Sequence, residues 1–452
     1  MNEKTSLPYF RLRSDCFLVS GKKGSVLYDV TRKKAFLLDQ ESSEFLRLCE
    51  GPQPLKDEWR KGRLHHFLDL MIREGLGFYY PHPVYVDNFL LESPINHFGG
   101  MAAPPPNYQV AAWHITNQCD HQCAFCPTDF SNPLWQACLS CVRRHNVTED
   151  PALFSDPVAV IEQASHLGIW GLHIRGGNPL LEWDRLMAIL RGVARFPHLK
   201  TTITTPGTGI SLEQTLSLYE VGVALNLNIV LFEHDPDVFE TGDGFQFKLL
   251  DALEKKNAAF DIAVVIANPP LVYKDSVSRK IFNRWGRRPR FVEFHTLPEE
   301  NGTPFHFART EDGRKRLCKW ANATEFFHRA NNRACLHGGF EVGLDGTLRA
   351  CAGCHHSCGK IANSRLRNAL KEEHLYDLWK LSKEKVVQCM DCGLRFACTD
   401  CLAADLLGAT NKRVAAGYCP IMDAGDCFNN AKSFQHDGFV QRLSIEKGLE
   451  DA

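Results

Sequence analysis

The chain has 452 residues, enough for two or three domains with cores of their own. Its 44% hydrophobic and 23% charged residues are ordinary for a soluble globular protein. A formal net charge of −1 argues against a bulk electrostatic partner, whether nucleic acid or an anionic membrane. The opening "MNEKTSLPYFRLRSDC" lacks the apolar segment of a secretion signal and no apolar run has spanning length, so a cytoplasmic address is expected.

In chain order, residues 1–80 form a small module. "CFLVSGKKGSVLYDVTRKKAFLLD" gives short β-rich runs broken at "GKKG" and "TRKK", a meander signal. "ESSEFLRLCEG" and "LKDEWRKGRLHHFLDLMIREG" follow with apolar residues at helical spacing, and the sum is a winged-helix-like α+β shape. Residues 81–107, rich in Pro and Gly, read as a linker. From 108 to 310 strands alternate with helices. The strands are "YQVAAWHIT", "WGLHIRGG", "KTTITTPG", "ALNLNIVLF", "FDIAVVIAN" and "RFVEFHTL". About six such units predict an α/β partial (β/α)6 barrel of the TIM-like kind. Residues 311–452 form a cysteine-rich region that metal ligation would help to fold.

Cysteine is the outlier. There are 18, of which 11 lie between Cys318 and Cys427. In a reducing compartment disulfides are not maintained, so this density points to iron–sulfur clusters or zinc. Cys119, Cys123 and Cys126 stand in a C-x3-C-x2-C loop directly after the first predicted barrel strand, at the sheet edge where barrel enzymes place their chemistry. Three thiolates leave one iron of a cubane open, and an open metal position is what catalysis needs. A structural zinc with His114 or His121 as fourth ligand is the alternative.

The loop spacing, Phe125 and the preceding strand resemble the radical S-adenosylmethionine (SAM) enzymes. The resemblance implies that Cys119, Cys123 and Cys126 hold a [4Fe–4S] cluster whose open iron chelates SAM. It implies that an electron from the cluster cleaves the sulfonium, yielding a radical that abstracts hydrogen from substrate. Gly176, Gly177, Asn178 and Pro179 resemble that family's Gly-Gly-Glu-Pro stretch, which holds the methionine amine. Asn178 replaces the Glu and loses its charge, though its amide oxygen still accepts hydrogen bonds. Asn226 and Asn228, alternating with apolar residues on the fourth strand, point to one face and stand where the family contacts SAM.

Further along, Cys335-x10-Gly346-x4-Cys351, then Cys389-x2-Cys392-x5-Cys398-x2-Cys401, then Cys419, resemble the SPASM extension of radical SAM enzymes. The resemblance implies two auxiliary [4Fe–4S] clusters, three in all. One would rest on Cys318, Cys335, Cys351 and Cys401, with Cys354 or Cys358 as substitutes for Cys318. The other would rest on Cys389, Cys392, Cys398 and Cys419. The pair Cys138 and Cys141, together with the pair Cys354 and Cys358, forms a candidate extra metal site. Cys16 and Cys49, among apolar neighbours, read as core residues.

Residues 1–80 resemble the PqqD-like peptide-recognition domain, in which a leader peptide adds a strand to the small sheet. The combined order resembles maturases of ribosomally made peptides. That implies a precursor peptide as partner, an external reductant of flavodoxin or ferredoxin type, and an intramolecular thioether or carbon–carbon cross-link as product. A sulfatase-maturase-like protein oxidase shares the barrel and SPASM region. A non-catalytic iron–sulfur carrier or peptide-binding scaffold is a reading of another class, and a zinc-dependent DNA-binding regulator a third. No general acid or base is singled out, although Glu233, His234, Glu293 and His295 lie near predicted strand ends.

Overall fold

The computed structural model describes residues 9–22, 24–51, 53–84, 108–121, 126, 143, 147–150, 153, 156–232, 244–267, 271–294, 323–333, 335–351, 354, 357–361, 366–370, 374–398, 440–446 and 448–451. At the N-terminal end, β1 (Tyr9–Leu12), β2 (Cys16–Gly21), β3 (Gly24–Asp29) and β4 (Lys34–Leu38) precede α1 (Gln40–Cys49), α2 (Gly62–Arg73) and β5 (Gly77–Tyr80). β2, β3 and β4 pair antiparallel as a meander, while β5 returns to pair with β1. Asp39 starts α1 by accepting the Ser42 amide at 2.8 Å, so the cap lies two residues before Glu41. Side chains alternate along these strands. Leu27, Phe36 and Leu38 pack against Phe45 of α1 and Phe67 of α2, whereas Val26, Tyr28 and Leu37 face the other way.

The second unit is a large, mostly parallel sheet in a mixed α/β arrangement. Its strands are β6 (Val110–Thr116), β7 (Gly171–Gly176), β8 (Lys200–Thr205), β9 (Ala224–Phe232), β10 (Phe260–Ala267) and β11 (Arg290–Phe294). Each pairs in parallel with the next in chain order. Helices α3 (Pro157–His166), α4 (Trp183–Val193), α5 (Leu212–Ser217), α6 (Phe245–Lys255) and α7 (Leu271–Trp285) supply the crossovers. The fifth, α7, fills the connection between the last two strands, which the periodicity left open. Its signal is thin: among the residues whose burial is described, Val277, Ile281 and Trp285, four residues apart, form its buried stripe. Ile115, Ile174, Ile203, Leu227 and Val264 point to the helices and form the main core with Leu186, Ile189 and Leu250.

The chain beyond residue 310 does not stand apart from this sheet. After α8 (Ala323–Asn331), β12 (Gly339–Val342) pairs in parallel with β6, and β13 (Thr347–Arg349) and β14 (Gly359–Lys360) extend the edge antiparallel. On the face away from the helices, buried Arg175 of β7 reaches across β6 to Glu341 of β12 in an ion pair. Ala112, beside Glu341 in the register, leaves room for that reach. The short helices α9 (Leu366–Ala369), α10 (His374–Trp379) and α11 (Val387–Met390) follow. Leu378 and Trp379 join the main core, and the Trp379 indole donates to Gly339 O at 2.9 Å.

The last described strands go elsewhere. β15 (Val440–Ser444) and β16 (Gly448–Asp451) form a hairpin whose first strand pairs in parallel with β4, giving a five-stranded order β16-β15-β4-β3-β2 among the described residues. The expected boundary had grouped 440–451 with the cysteine-rich region, by contiguity in sequence. Leu443 and Ile445 instead enter the core of the N-terminal module. The module's opposite face is covered by Phe326 of α8 and by Leu394, Phe396 and Ala397. Among the described residues no helix is long and apolar enough to cross a membrane.

Candidate metal centre

β6 ends at Thr116 and the chain turns at once through Asn117–His121. The Gln118 amide donates to Thr116 Oγ1 at 2.9 Å, and His114 Nε2 lies 3.0 Å from Asn117 Oδ1. The Gly176–Gly177 turn at the end of β7 is pressed against this segment. Gly177 N donates to Thr116 O at 2.9 Å and Asn178 N to Gln118 O at 2.7 Å. A Cβ on Gly176, whose φ is +138°, would strike Thr116 O, and one on Gly177 would strike Gln118 O. The two glycines therefore let the backbone of one loop lie on the backbone of the other.

Asn178 is wholly buried at the centre of this contact. Its Nδ2 donates to Asp120 Oδ1 and to Thr208 O, each at 2.9 Å. Its Oδ1 accepts from the Thr205 hydroxyl at 2.8 Å and from the Leu180 amide at 3.2 Å. Thr205 in turn accepts the Gly207 amide at 2.9 Å. Both donors and both lone pairs of the amide are thus engaged within the protein. The Asn178 oxygen, expected from the resemblance to stand near SAM, accepts both of its bonds from within the protein. Asp120, Thr205 and Thr208 were not singled out from the sequence. The signal that could have found Asp120 is a carboxylate directly after Cys119, in a chain whose Gly-Gly turn lacks one.

Asp120 is part exposed, with His121 Nδ1 3.5 Å from its Oδ1. Burial works to raise its pKa, but hydrogen bonds from Thr208 and Asn178 prevail and hold it below the usual aspartate value. The His121 ring tilts over Phe232 at the end of β9, with centroids 5.2 Å apart, and its Nδ1 lies 3.4 Å from Thr208 Oγ1.

The two described cysteines of the loop accept backbone N–H groups. His121 N donates to Cys119 Sγ at 3.5 Å and Arg143 N to Cys126 Sγ at 3.4 Å. Burial pushes the Cys119 thiol up in pKa, and the His121 amide opposes it. Cys126 rests on Val230, Phe232, Ala263, Val265 and Val292, an apolar patch apart from the helix-facing core. Amide donors aimed at sulfur together with an apolar floor fit a thiolate-held iron–sulfur group, so the residues suit a cluster at Cys119, Cys123 and Cys126. Cys123 itself lies outside the described residues.

Asn226 and Asn228 do lie on the sheet face away from the helices, since Leu225, Leu227 and Ile229 occupy the other. Asn226 Nδ2 donates to Asp261 Oδ2 at 2.8 Å and Asn228 Nδ2 to Thr204 Oγ1 at 3.2 Å. Both tie neighbouring strands together. Of the suggested strand-end residues, Glu293 is on β11, while Glu233, His234 and His295 fall outside the described residues.

Among the later cysteines, Cys335 is exposed, and Cys351, Cys392 and Cys398 are half-buried. Cys389 is buried in the main core, as are Cys354 and Cys358. Cys351 and Cys354 share a turn, Cys354 N donating to Cys351 O at 3.0 Å; Cys389 and Cys392 do likewise at 2.9 Å. Lys383 Nζ lies 3.0 Å from Cys398 Sγ, a cation against sulfur. Cys318, Cys401 and Cys419 lie outside the described residues. Of the candidate extra metal site, Cys138 and Cys141 also lie outside them, so only its other half, Cys354 and Cys358, is placed. Cys16 and Cys49 are core residues of the N-terminal module, and burial pushes each thiol up to about 12.

No protein-family model matches the chain, and no curated protein matches it. Among solved structures the chain is similar to Streptococcus suis SuiB bound to S-adenosylmethionine, with 14% identity, 91% of this chain and 99% of that chain covered, and a TM-score of 0.45. It is similar to anSMEcpe with bound AdoMet, with 15% identity, coverage of 74% and 100%, and a TM-score of 0.46. A third is BtrN in complex with AdoMet and 2-DOIA, with 13% identity, coverage of 68% and 96%, and a TM-score of 0.33.

Proposed function

We propose that the chain is a radical SAM maturase that abstracts hydrogen from a ribosomally made precursor peptide and installs an intramolecular thioether or carbon–carbon cross-link. The observation that carries this reading is the cysteine loop at the C-terminal end of β6. There Cys119 and Cys126 each accept a backbone amide, beside a glycine turn locked to the loop by two hydrogen bonds. Cys119, Cys123 and Cys126 would hold the cluster. When bound, that cluster with SAM supplies a one-electron reductive cleavage and a carbon-centred radical. The chain's own part is to orient the loop through Gly176, Gly177 and Asn178. Phe232 and Val265 keep the sulfur side of Cys126 apolar.

The auxiliary clusters of this reading rest on Cys318, Cys335, Cys351 and Cys401, and on Cys389, Cys392, Cys398 and Cys419. Residues 1–80 would recognise the leader peptide, and a flavodoxin- or ferredoxin-type protein would deliver electrons. In the described sheet β15 occupies the edge of β4, so strand addition by a leader would use another edge or replace the C-terminal hairpin. A sulfatase-maturase-like protein oxidase would share the barrel and the cysteine-rich region but would not need residues 1–80.

Anaerobic reconstitution tests the reading. Iron and acid-labile sulfide should be incorporated, and SAM with a strong reductant should yield 5′-deoxyadenosine and methionine. With the precursor peptide, mass spectrometry should find a loss of two hydrogens per linkage. Absence of SAM cleavage would sink the proposal. A zinc site is the second reading, because ligand atoms of Cys119, Asp120 and His121 lie within 4.8 Å of one another. One equivalent of zinc at the loop, without sulfide, would favour it.

A further inference from the structure

The glycine turn departs from its family at Asn178, and the structure explains why a neutral residue is tolerated there. All four hydrogen-bonding positions of the buried Asn178 amide are taken: by Asp120, Thr208 O, Thr205 and Leu180 N. It has nothing left to offer an ammonium group. A carboxylate nevertheless stands beside it, brought from another part of the chain. Asp120 Oδ1 lies 2.9 Å from Asn178 Nδ2, one residue beyond Cys119, and the Asp120 side chain keeps 31% of its surface exposed.

We propose that Asp120 binds the α-ammonium of SAM, with Asn178 as the positioning residue that fixes the carboxylate. This rests on the radical SAM reading of the loop. A carboxylate has about four acceptor positions, so the bond from Asn178 leaves capacity for a cation. The donor that orients it, the Asn178 amide, is neutral and occupies one of its acceptor positions. Among the described residues, the His121 ring lies 3.5 Å away. A glutamate at 178 would set two carboxylates against each other. The pairing of Asp120 with Asn178 therefore places the charge on the cysteine loop, one hydrogen bond from the β7 turn.

The test uses the full chain, anaerobically reconstituted, with SAM and its deaminated 2-oxo analogue as ligands in equilibrium binding. Asp120→Asn keeps an oxygen for Asn178 Nδ2 and removes only the charge. We expect SAM affinity to fall by about tenfold or more, the scale of a lost charge-assisted hydrogen bond. Iron and sulfide content should stay at the wild-type level, and the analogue should bind both proteins alike. Asp120→Glu should recover part of the preference for SAM over the analogue. SAM binding by Asp120→Asn within about twofold of wild type overturns the inference. So does loss of iron from that variant, which would make Asp120 a folding element of the loop. Wild-type protein that takes up no cluster, or binds no SAM, overturns the radical SAM reading itself.

Discussion

The two larger sheets among the described residues are put together in opposite ways. In the large sheet β6 to β11 follow one another in space as in sequence, each joined to the next by a helix-bearing crossover. Its helices cover one face, and the other carries Arg175, Thr204, Asn226 and Asn228, with the cysteine loop at the strands' C-terminal ends. The small sheet closes between the two ends of the chain, β4 (34–38) pairing with β15 (440–444). Both of its faces are apolar and covered, one by α1 and α2 and the other by α8 and residues 394–397. One sheet leaves a face and a set of strand ends for chemistry. The other spends both faces on packing and ties the N-terminal module to the cysteine-rich region. Tyr28 makes the tie explicit, its hydroxyl donating to Gly393 O at 2.9 Å.

If the large sheet is a scaffold separable from its site, Cys119→Ala with Cys126→Ala should reduce SAM cleavage by orders of magnitude, to the reductant-only background. The fold should be untouched, because neither thiol belongs to the helix-facing core. Unchanged circular dichroism and urea midpoint, beside abolished 5′-deoxyadenosine formation, are the expected readings. The next effect is on the scaffold. Glu341 is wholly buried between β6 and β13, ion-paired to Arg175 and in register with Arg349. Glu341→Ala takes the carboxylate away from the buried Arg175 guanidinium and should cost about 3–5 kcal/mol in chemical denaturation. A loss below about 1 kcal/mol would mean that solvent reaches this face and that the ion pair is a surface one.

The same contrast decides what could be read beforehand. β6 to β11 are legible because each strand alternates or is continuously apolar and each connection is local. The cysteine loop is legible because its spacing is a covalent property of the chain. The partnership of β4 with β15 is not, since nothing in "VQRLSIEKGLEDA" names its partner strand, although Leu443 and Ile445 alternate properly for one. α7 hid behind a charged surface, its described buried residues Val277, Ile281 and Trp285 spaced one per turn. At the site, the Asn in "GGNP" was visible as a lost charge, but the saturation of its amide by Asp120, Thr205, Thr208 and Leu180 depends on three loops meeting.

The small sheet offers the finer tests. Leu443 is wholly buried among residues of the N-terminal module, so Leu443→Ala should destabilise it by about 2–5 kcal/mol, read from the first phase of urea unfolding. Deleting residues 1–80 to test leader recognition would also strip β15 of its partner strand, which makes point substitution the cleaner experiment. A smaller and more local signal comes from Cys16 and Cys49. Burial holds both thiols at about 12, with the Asp29 charge adding to it at Cys16 and Glu50 at Cys49. At pH 8 about one thiol in ten thousand is then ionised, against roughly a quarter of free cysteine. In the native protein iodoacetamide should therefore leave both residues intact, and peptide mapping should find them modified only as fast as the module opens. Leu443→Ala should raise that rate at Cys16 and Cys49 together. Modification of Cys16 without Cys49 would break the picture of one core closed by the C-terminal strand, because both thiols face the same apolar cluster as Leu443.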